Sequence, residues 1–231
     1  MDKSIVGILC AGDDELSPFL DLIEDCQTEE RAMLTFHKGK IEGTEVVALF
    51  SGVCKVNAAI ASQILIDTYR CGIIINSGTA GAVAKELEIF NTIISTALAY
   101  HDVDKEILTE FHPWLESEWI KADQKLIALA QYIEHKYKLN YKVLFGKMVT
   151  GEQFISSSEK HRIIDVFSPL SVDMESASIA HVCYVNNIPF ISVRTITDNA
   201  CAGAEELFEL NCLKASAQSA DFVKLMLKEL S

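Results

Sequence analysis

Basic residues are scarce in this chain. Twenty lysines and arginines face 33 aspartates and glutamates, for a formal charge of -13, and a surface of that sign repels the phosphates of duplex nucleic acid. The arginines are Arg31, Arg70, Arg162 and Arg194, too few near the motifs described below to assemble a phosphate clamp. Proline is sparse too: Pro18, Pro113, Pro169 and Pro189 stand singly, at the edges of predicted elements. No Pro/Gly/Ser-rich linker, low-complexity tract or internal period interrupts the sequence, which predicts one domain over residues 1–231. Long hydrophobic runs are missing, since none approaches the roughly 20 residues that span a bilayer. The N-terminus also lacks the basic region, apolar stretch and cleavage site of a signal peptide. The expectation is a cytoplasmic protein with no membrane partner.

Metal signatures are absent as well. The seven cysteines (Cys10, Cys26, Cys54, Cys71, Cys183, Cys201, Cys212) are odd in number, show no CxxC spacing and mostly have apolar neighbours. They read as buried free thiols. The six histidines are dispersed without an HExxH spacing, so no metal site is expected.

What the sequence does contain is alternation. Strand-like apolar runs lie at about 4–10, 45–50, 72–77, 92–98, 142–149, 170–174 and 190–197. Helical patterns come between them: Ala58, Ile60, Ala61, Ile64 and Leu65 mark a face within 55–69, and Leu126, Leu129, Ala130 and Ile133 one within 123–136. Further helices are expected from Ser176 to about Val185 and at the end of the chain. The pattern predicts an α/β protein, a three-layer α/β/α arrangement around a central mixed sheet.

Two of the predicted strands end in acid. Val172-Asp173-Met174-Glu175-Ser176 closes one, and Phe190 to Thr197 runs into Asp198, so carboxylates arrive at the strand edges where open α/β sheets bind ligands. Small residues gather at Ser51-Gly52-Val53-Cys54-Lys55 and at Asn76-Ser77-Gly78-Thr79-Ala80-Gly81-Ala82. Neither segment is a P-loop or GxGxxG signature, and each on its own reads as a tight turn rather than a binding loop. Asp198 alone reads equally as an N-cap for a helix starting near Asn199, and Asp13 or Asp14 as a cap for one starting near Leu16.

Taken in register, these segments resemble a family. Ala11-Gly12-Asp13-Asp14-Glu15, Ser51 to Val56, Asn76 to Gly81, Tyr100-His101-Asp102, Gly151-Glu152-Gln153-Phe154-Ile155, Val172 to Glu175 and Arg194-Thr195-Ile196-Thr197-Asp198 occur in the order seen in 5'-methylthioadenosine/S-adenosylhomocysteine nucleosidases, of the nucleoside phosphorylase superfamily. The resemblance covers nearly the whole chain. It implies hydrolysis of the bond between adenine N9 and ribose C1' without metal or organic cofactor, an adenine nucleoside as the small-molecule partner, and a homodimer.

The roles it implies are specific. Asp198 would be the acid that protonates the leaving adenine, and Glu15 the carboxylate that activates water, with Thr79 and Arg194 positioning that water. Glu175 would accept hydrogen bonds from the ribose hydroxyls, with Asp173 and Met174 beside it. Phe154 and Ile155 would meet adenine, Val53 the 5' side of the sugar, and Phe208 would close over the nucleoside. On sequence alone, Phe154 and Met174 read equally well as core residues.

The chain departs from the family pattern at Gly12, where methionine is familiar, at Cys54, commonly glycine, at Asp173, often glutamate, and over Lys105 to Trp114. That last segment leaves the 5' substituent open. Two rival readings stand beside hydrolysis: a phosphorylase, which the acidic Asp13-Asp14-Glu15 run disfavours because it would repel phosphate, and a non-catalytic nucleoside-binding protein.

Overall fold

The computed structural model describes residues 4–155, 157–200 and 203–231. Cys201, among the thiols expected to be buried, lies outside them. In chain order the elements are β1 (Ile5–Cys10), α1 (Asp13–Leu20), β2 (Glu24–Arg31), β3 (Leu34–Ile41), β4 (Thr44–Phe50), α2 (Lys55–Asp67), β5 (Cys71–Ala82) and β6 (Thr92–Tyr100). There follow α3 (Lys105–Glu110), β7 (Ile120–Lys121), α4 (Gln124–Lys136), β8 (Val143–Thr150), α5 (Ser157–Phe167), β9 (Ser171–Asp173), α6 (Ser176–Asn186), β10 (Phe190–Asp198) and α7 (Ala204–Leu230).

The strands form one mixed sheet in the order β10-β6-β8-β9-β5-β1-β4-β3-β2, with β7 on β6. β10 also runs parallel to β5, from Phe190 opposite Ile74 to Asp198 opposite Gly81. The sheet therefore closes through β10, β6, β8, β9 and β5, and the other strands spread from β5 as an open wing. Alternation along β1 sends Val6, Ile8 and Cys10 into the core beneath α1 and α7, and Leu9 into the core beneath α2 and α6. Both faces are thus sealed by helices, as the mixed α/β expectation requires. The ends of β1, β5, β9 and β10 are left to meet a common cavity.

Several elements differ from the sequence expectation. β2 is polar and largely exposed, and its turn to β3 places Ala32 and Met33 at φ 52 and φ 61. Such a two-residue turn normally advertises itself through Asn-Gly or Asp-Gly, so neither apolar alternation nor turn chemistry marked the hairpin. α3, β7 and α5 were likewise unmarked. The residues Asn76 to Ala82 are the C-terminal half of β5, neither turn nor loop, whereas Gly52, at φ +80, does lie in the connection from β4 to α2. Pro18 sits inside α1 and not at an edge. On α2 the buried face is Ala58, Ala61, Ser62, Leu65 and Ile66, while Ile60 is exposed. Of the described cysteines, Cys26 is exposed and Cys54 half-buried; Cys10, Cys71, Cys183 and Cys212 are buried.

Candidate active site

All the candidate site residues line one cavity of about 300 Å³: Glu15, Val53, Thr79, Phe154, Ile155, Asp173, Met174, Glu175, Arg194, Asp198 and Phe208. Its centre is a buried arginine. Arg194, 1% exposed, reaches Glu15 Oε1 at 3.5 Å, Asp173 Oδ2 at 3.5 Å and Glu175 Oε2 at 3.1 Å. Burial opposes its charge, and the three carboxylates outweigh burial and hold the guanidinium ionised. Its remaining donors go to Thr79 O at 3.0 Å and Ser176 Oγ at 3.2 Å.

Glu15 is fixed by the chain entering α1. Gly12 is the N-cap of that helix, and Asp13 and Asp14 are in its first turn, so neither aspartate is the cap expected from sequence. Glu15 instead folds back to accept from the amides of Ala11 at 2.7 Å and Gly12 at 3.4 Å through Oε2. Its Oε1 accepts from the Thr79 amide at 2.7 Å and the Thr79 hydroxyl at 2.9 Å.

Glu175 is the N-cap residue of α6 and is 3% exposed. Its Oε1 accepts from the Cys54 amide at 2.9 Å and its Oε2 from Arg194. Burial pushes its pKa upward; Arg194 and the Cys54 amide oppose the rise, while Asp173 and Glu15 add to it. Asp173 does structural work at the same end: Oδ1 accepts from Thr150 Oγ1 at 2.6 Å and from the amides of Ser176 at 3.0 Å and Glu175 at 3.1 Å, which anchors the start of α6. Its Oδ2 is buried without a hydrogen-bond partner.

Asp198, 4% exposed, stands apart from this cluster as the last residue of β10. Oδ1 accepts from the Ala200 amide at 2.8 Å and Oδ2 from the Thr197 hydroxyl at 2.9 Å. Burial raises its pKa, against the pull of those two donors and of Lys160. It caps no helix, because α7 begins at Ala204 behind Gly203.

The apolar wall is more open. Phe154 and Val53 are exposed, Ile155 is buried, Met174 is half-buried, and Phe154 meets Phe208 edge to face with centroids 5.9 Å apart. Sequence reasoning missed the polar floor under Arg194, where Ser176 Oγ and Ser192 Oγ both donate to Asn76 Oδ1, at 2.7 and 2.9 Å. The available signal was small polar residues inside otherwise apolar strands. It also missed Cys212, which lines the cavity from α7.

Cys10 and Cys54 offer no nucleophile. Burial pushes Cys10 well up, and burial together with a hydrogen bond to Glu152 pushes Cys54 up to about 11, so neither holds appreciable thiolate near neutrality. Among the described residues no cluster of three or more His, Cys, Asp or Glu is placed to hold a metal ion, and no helix is long and apolar enough to cross a membrane.

A mixed sheet that closes at one end around a buried Arg-carboxylate cluster, with a separate buried aspartate across the same cavity, has known counterparts. The sequence model of the Phosphorylase superfamily matches residues 5–228, and the chain belongs to that superfamily. The 5'-methylthioadenosine/S-adenosylhomocysteine nucleosidase of Staphylococcus carnosus (strain TM300) is 34% identical over 230 residues, covering 98% of this chain and 100% of that relative. Within the superfamily, the chain is a member of this nucleosidase family. Two solved structures are similar throughout. The S. pneumoniae nucleosidase bound to a transition-state inhibitor has a TM-score of 0.91 and 30% identity, covering 98% of this chain and 100% of the other. The futalosine hydrolase of Helicobacter pylori strain 26695 has a TM-score of 0.91 and 29% identity, covering 98% of each.

Proposed function

We propose that this chain, folded as one domain, hydrolyses the N-glycosidic bond of 5'-methylthioadenosine and S-adenosylhomocysteine, releasing adenine and the 5-thio-substituted ribose. The observation that carries the reading is the division of acids in one cavity. Asp198, its pKa raised by burial, sits across from Glu15 and Glu175, which are tied to a single arginine.

In this reading Asp198 gives its proton to adenine N7 as the bond to C1' breaks. Positive charge then grows on the sugar beside three carboxylates that share one guanidinium. Glu175 takes the ribose hydroxyls, whose O–H groups donate to its oxygens. Water is held by Glu15, Arg194 and the Thr79 hydroxyl, attacks C1' from the face opposite the base, and passes its proton to Glu15. Met174 lies beneath the sugar, Val53 bounds its 5' side, and Phe154, Ile155 and Phe208 enclose the adenine.

Phosphate suits this cavity poorly as a nucleophile. Arg194 is the one cation on the cavity wall among the described residues, it is already shared by three carboxylates, and Asp13 and Asp14 stand on the wall nearby. Incubation with 5'-methylthioadenosine in phosphate-free buffer tests the reading. Free adenine with methylthioribose is expected; dependence on phosphate with a sugar phosphate product would mean phosphorolysis, and binding without release would mean a sensor. S-adenosylhomocysteine, 5'-deoxyadenosine, inosine and futalosine in parallel define the 5' group.

We also propose a cytoplasmic homodimer. Exposed Phe111 and Trp114 support an interface, whereas Trp119 packs within the chain against Phe167, under Lys147. Light scattering reads the assembly.

A further inference from the structure

Lys160, on α5, makes two hydrogen bonds that the roles above do not use. Its Nζ donates to Ala82 O at 3.0 Å and to Asn199 O at 2.5 Å. Ala82 is the last residue of β5, and Asn199 directly follows Asp198 at the end of β10. One ammonium thus joins the ends of the two parallel strands that flank the Asp198 carboxyl group, from the helix that follows the Phe154–Ile155 segment.

The surroundings of Asp198 can be read element by element. From β10 the Thr197 hydroxyl donates to it, and from the turn beyond, the Ala200 amide. On β5, Gly81 lies against it: an added Cβ there would stand 2.9 Å from Oδ1. Arg194, on the same strand, is turned to Glu15, Asp173 and Glu175. Glu205 and Glu206, in the first turn of α7, are exposed. The cation that acts on Asp198 is Lys160.

We propose that Lys160 is a positioning residue for the acid: by stapling the ends of β5 and β10 with a charged group, it holds the Asp198 carboxyl group in place and sets the pH range over which that group keeps its proton. The proposal rests on the reading of Asp198 as proton donor. Burial alone would make Asp198 a reluctant acid, and a nearby ammonium stabilises the carboxylate left after donation. The balance between the two keeps the proton available and transferable. Without the cation, burial prevails, so the acid holds its proton to higher pH and gives it up less readily.

The test is the pH profile of kcat with 5'-methylthioadenosine for the wild type, Lys160→Arg, Lys160→Gln and Lys160→Met, with Asp198→Asn alongside. The Met variant is expected to lose about tenfold in plateau kcat, and its alkaline limb should move upward by about half a pH unit. KM should change less than kcat, and Arg should restore both features. A packing defect alone would lower activity at every pH without moving the limb. Lys160 is only partly buried, so Gln, which keeps a donor and removes the charge, decides the question if Met does not fold. An unmoved limb in the Gln and Met variants, or a limb moved as far by Arg as by Met, would overturn the proposal. Full turnover by Asp198→Asn would instead remove the acid itself, and this proposal with it.

Discussion

Thr79 and Glu15 lie 64 positions apart and are joined twice at one atom: the Thr79 amide, at 2.7 Å, and its hydroxyl, at 2.9 Å, both donate to Glu15 Oε1. With the Ala11 and Gly12 amides on Oε2, each oxygen of Glu15 accepts from two donors. In Glu15→Gln, one end must turn N–H groups toward other N–H groups. The variant is expected to lose about 10²- to 10⁴-fold in kcat while adenine affinity stays within about threefold, since the residues proposed to enclose the base are Phe154, Ile155 and Phe208. Stopped-flow turnover and calorimetric adenine binding measure the two, and unchanged kcat would defeat the assignment.

Gly78 and Gly81 have a purpose that their sequence context concealed. An added Cβ at Gly78 would fall on the Glu15 carboxyl group, and one at Gly81 would stand 2.9 Å from Asp198 Oδ1 and 3.3 Å from the Ala200 Cβ. β5 thus carries glycine where two carboxylates lie against it, not where a turn or a bound phosphate needs room. Gly78→Ala should destabilise the fold by about 1–3 kcal/mol, because Glu15 is pinned and buried. Gly81→Ala should reduce kcat more than stability. Urea midpoints and kcat for the pair check this split, and a Gly78→Ala protein as stable as the wild type, or a Gly81→Ala enzyme as active, would contradict it.

Legibility from the sequence followed local chemistry. The strands around the cavity showed themselves because both faces are apolar, Asp173 and Asp198 because they end those strands, and Glu175 because it comes just after β9, as the cap of α6. The hairpin of β2 and β3 was silent, since Glu24 to Arg31 carries no apolar period and Ala32-Met33 turns at positive φ without glycine or asparagine. The cap of α1 was misread because Glu15 reaches backward to do what a capping aspartate would otherwise do. Lys160 was invisible for another reason: both of its acceptors are backbone carbonyls, and no side-chain pattern announces those.

Arg194→Met isolates the arginine's structural role. Three carboxylates converge on this guanidinium, and removing it leaves buried acids without their counter-charge. A loss of about 3–5 kcal/mol is expected on removing one partner of a buried ionic cluster. Because Glu175, raised by burial and held down by Arg194, would then take up a proton more readily, the destabilisation should shrink as pH falls. Urea unfolding of the variant at several pH values tests this, and a pH-independent deficit would argue that lost packing, not charge, dominates.

Asp198→Asn should trade stability against function in a direction that the wild-type pKa fixes. Burial raises the pKa of this group in the folded protein above the ordinary value of 3.8. Its favourable contribution to folding is therefore complete below the unfolded value and is lost as pH rises through the folded one. Above the folded pKa the protein holds a buried carboxylate that burial disfavours, and asparagine is free of that penalty while still accepting from the Ala200 amide. The variant is expected to melt above the wild type on the alkaline side of the folded pKa, with the gap closing as pH falls toward the unfolded value, while kcat falls by about 10²- to 10⁴-fold. Differential scanning calorimetry across that range reads the sign. A variant less stable than wild type at the alkaline end would mean that the Thr197 and Ala200 hydrogen bonds to the carboxylate outweigh its burial, and that Asp198 is held as a charged structural group and not as a proton donor.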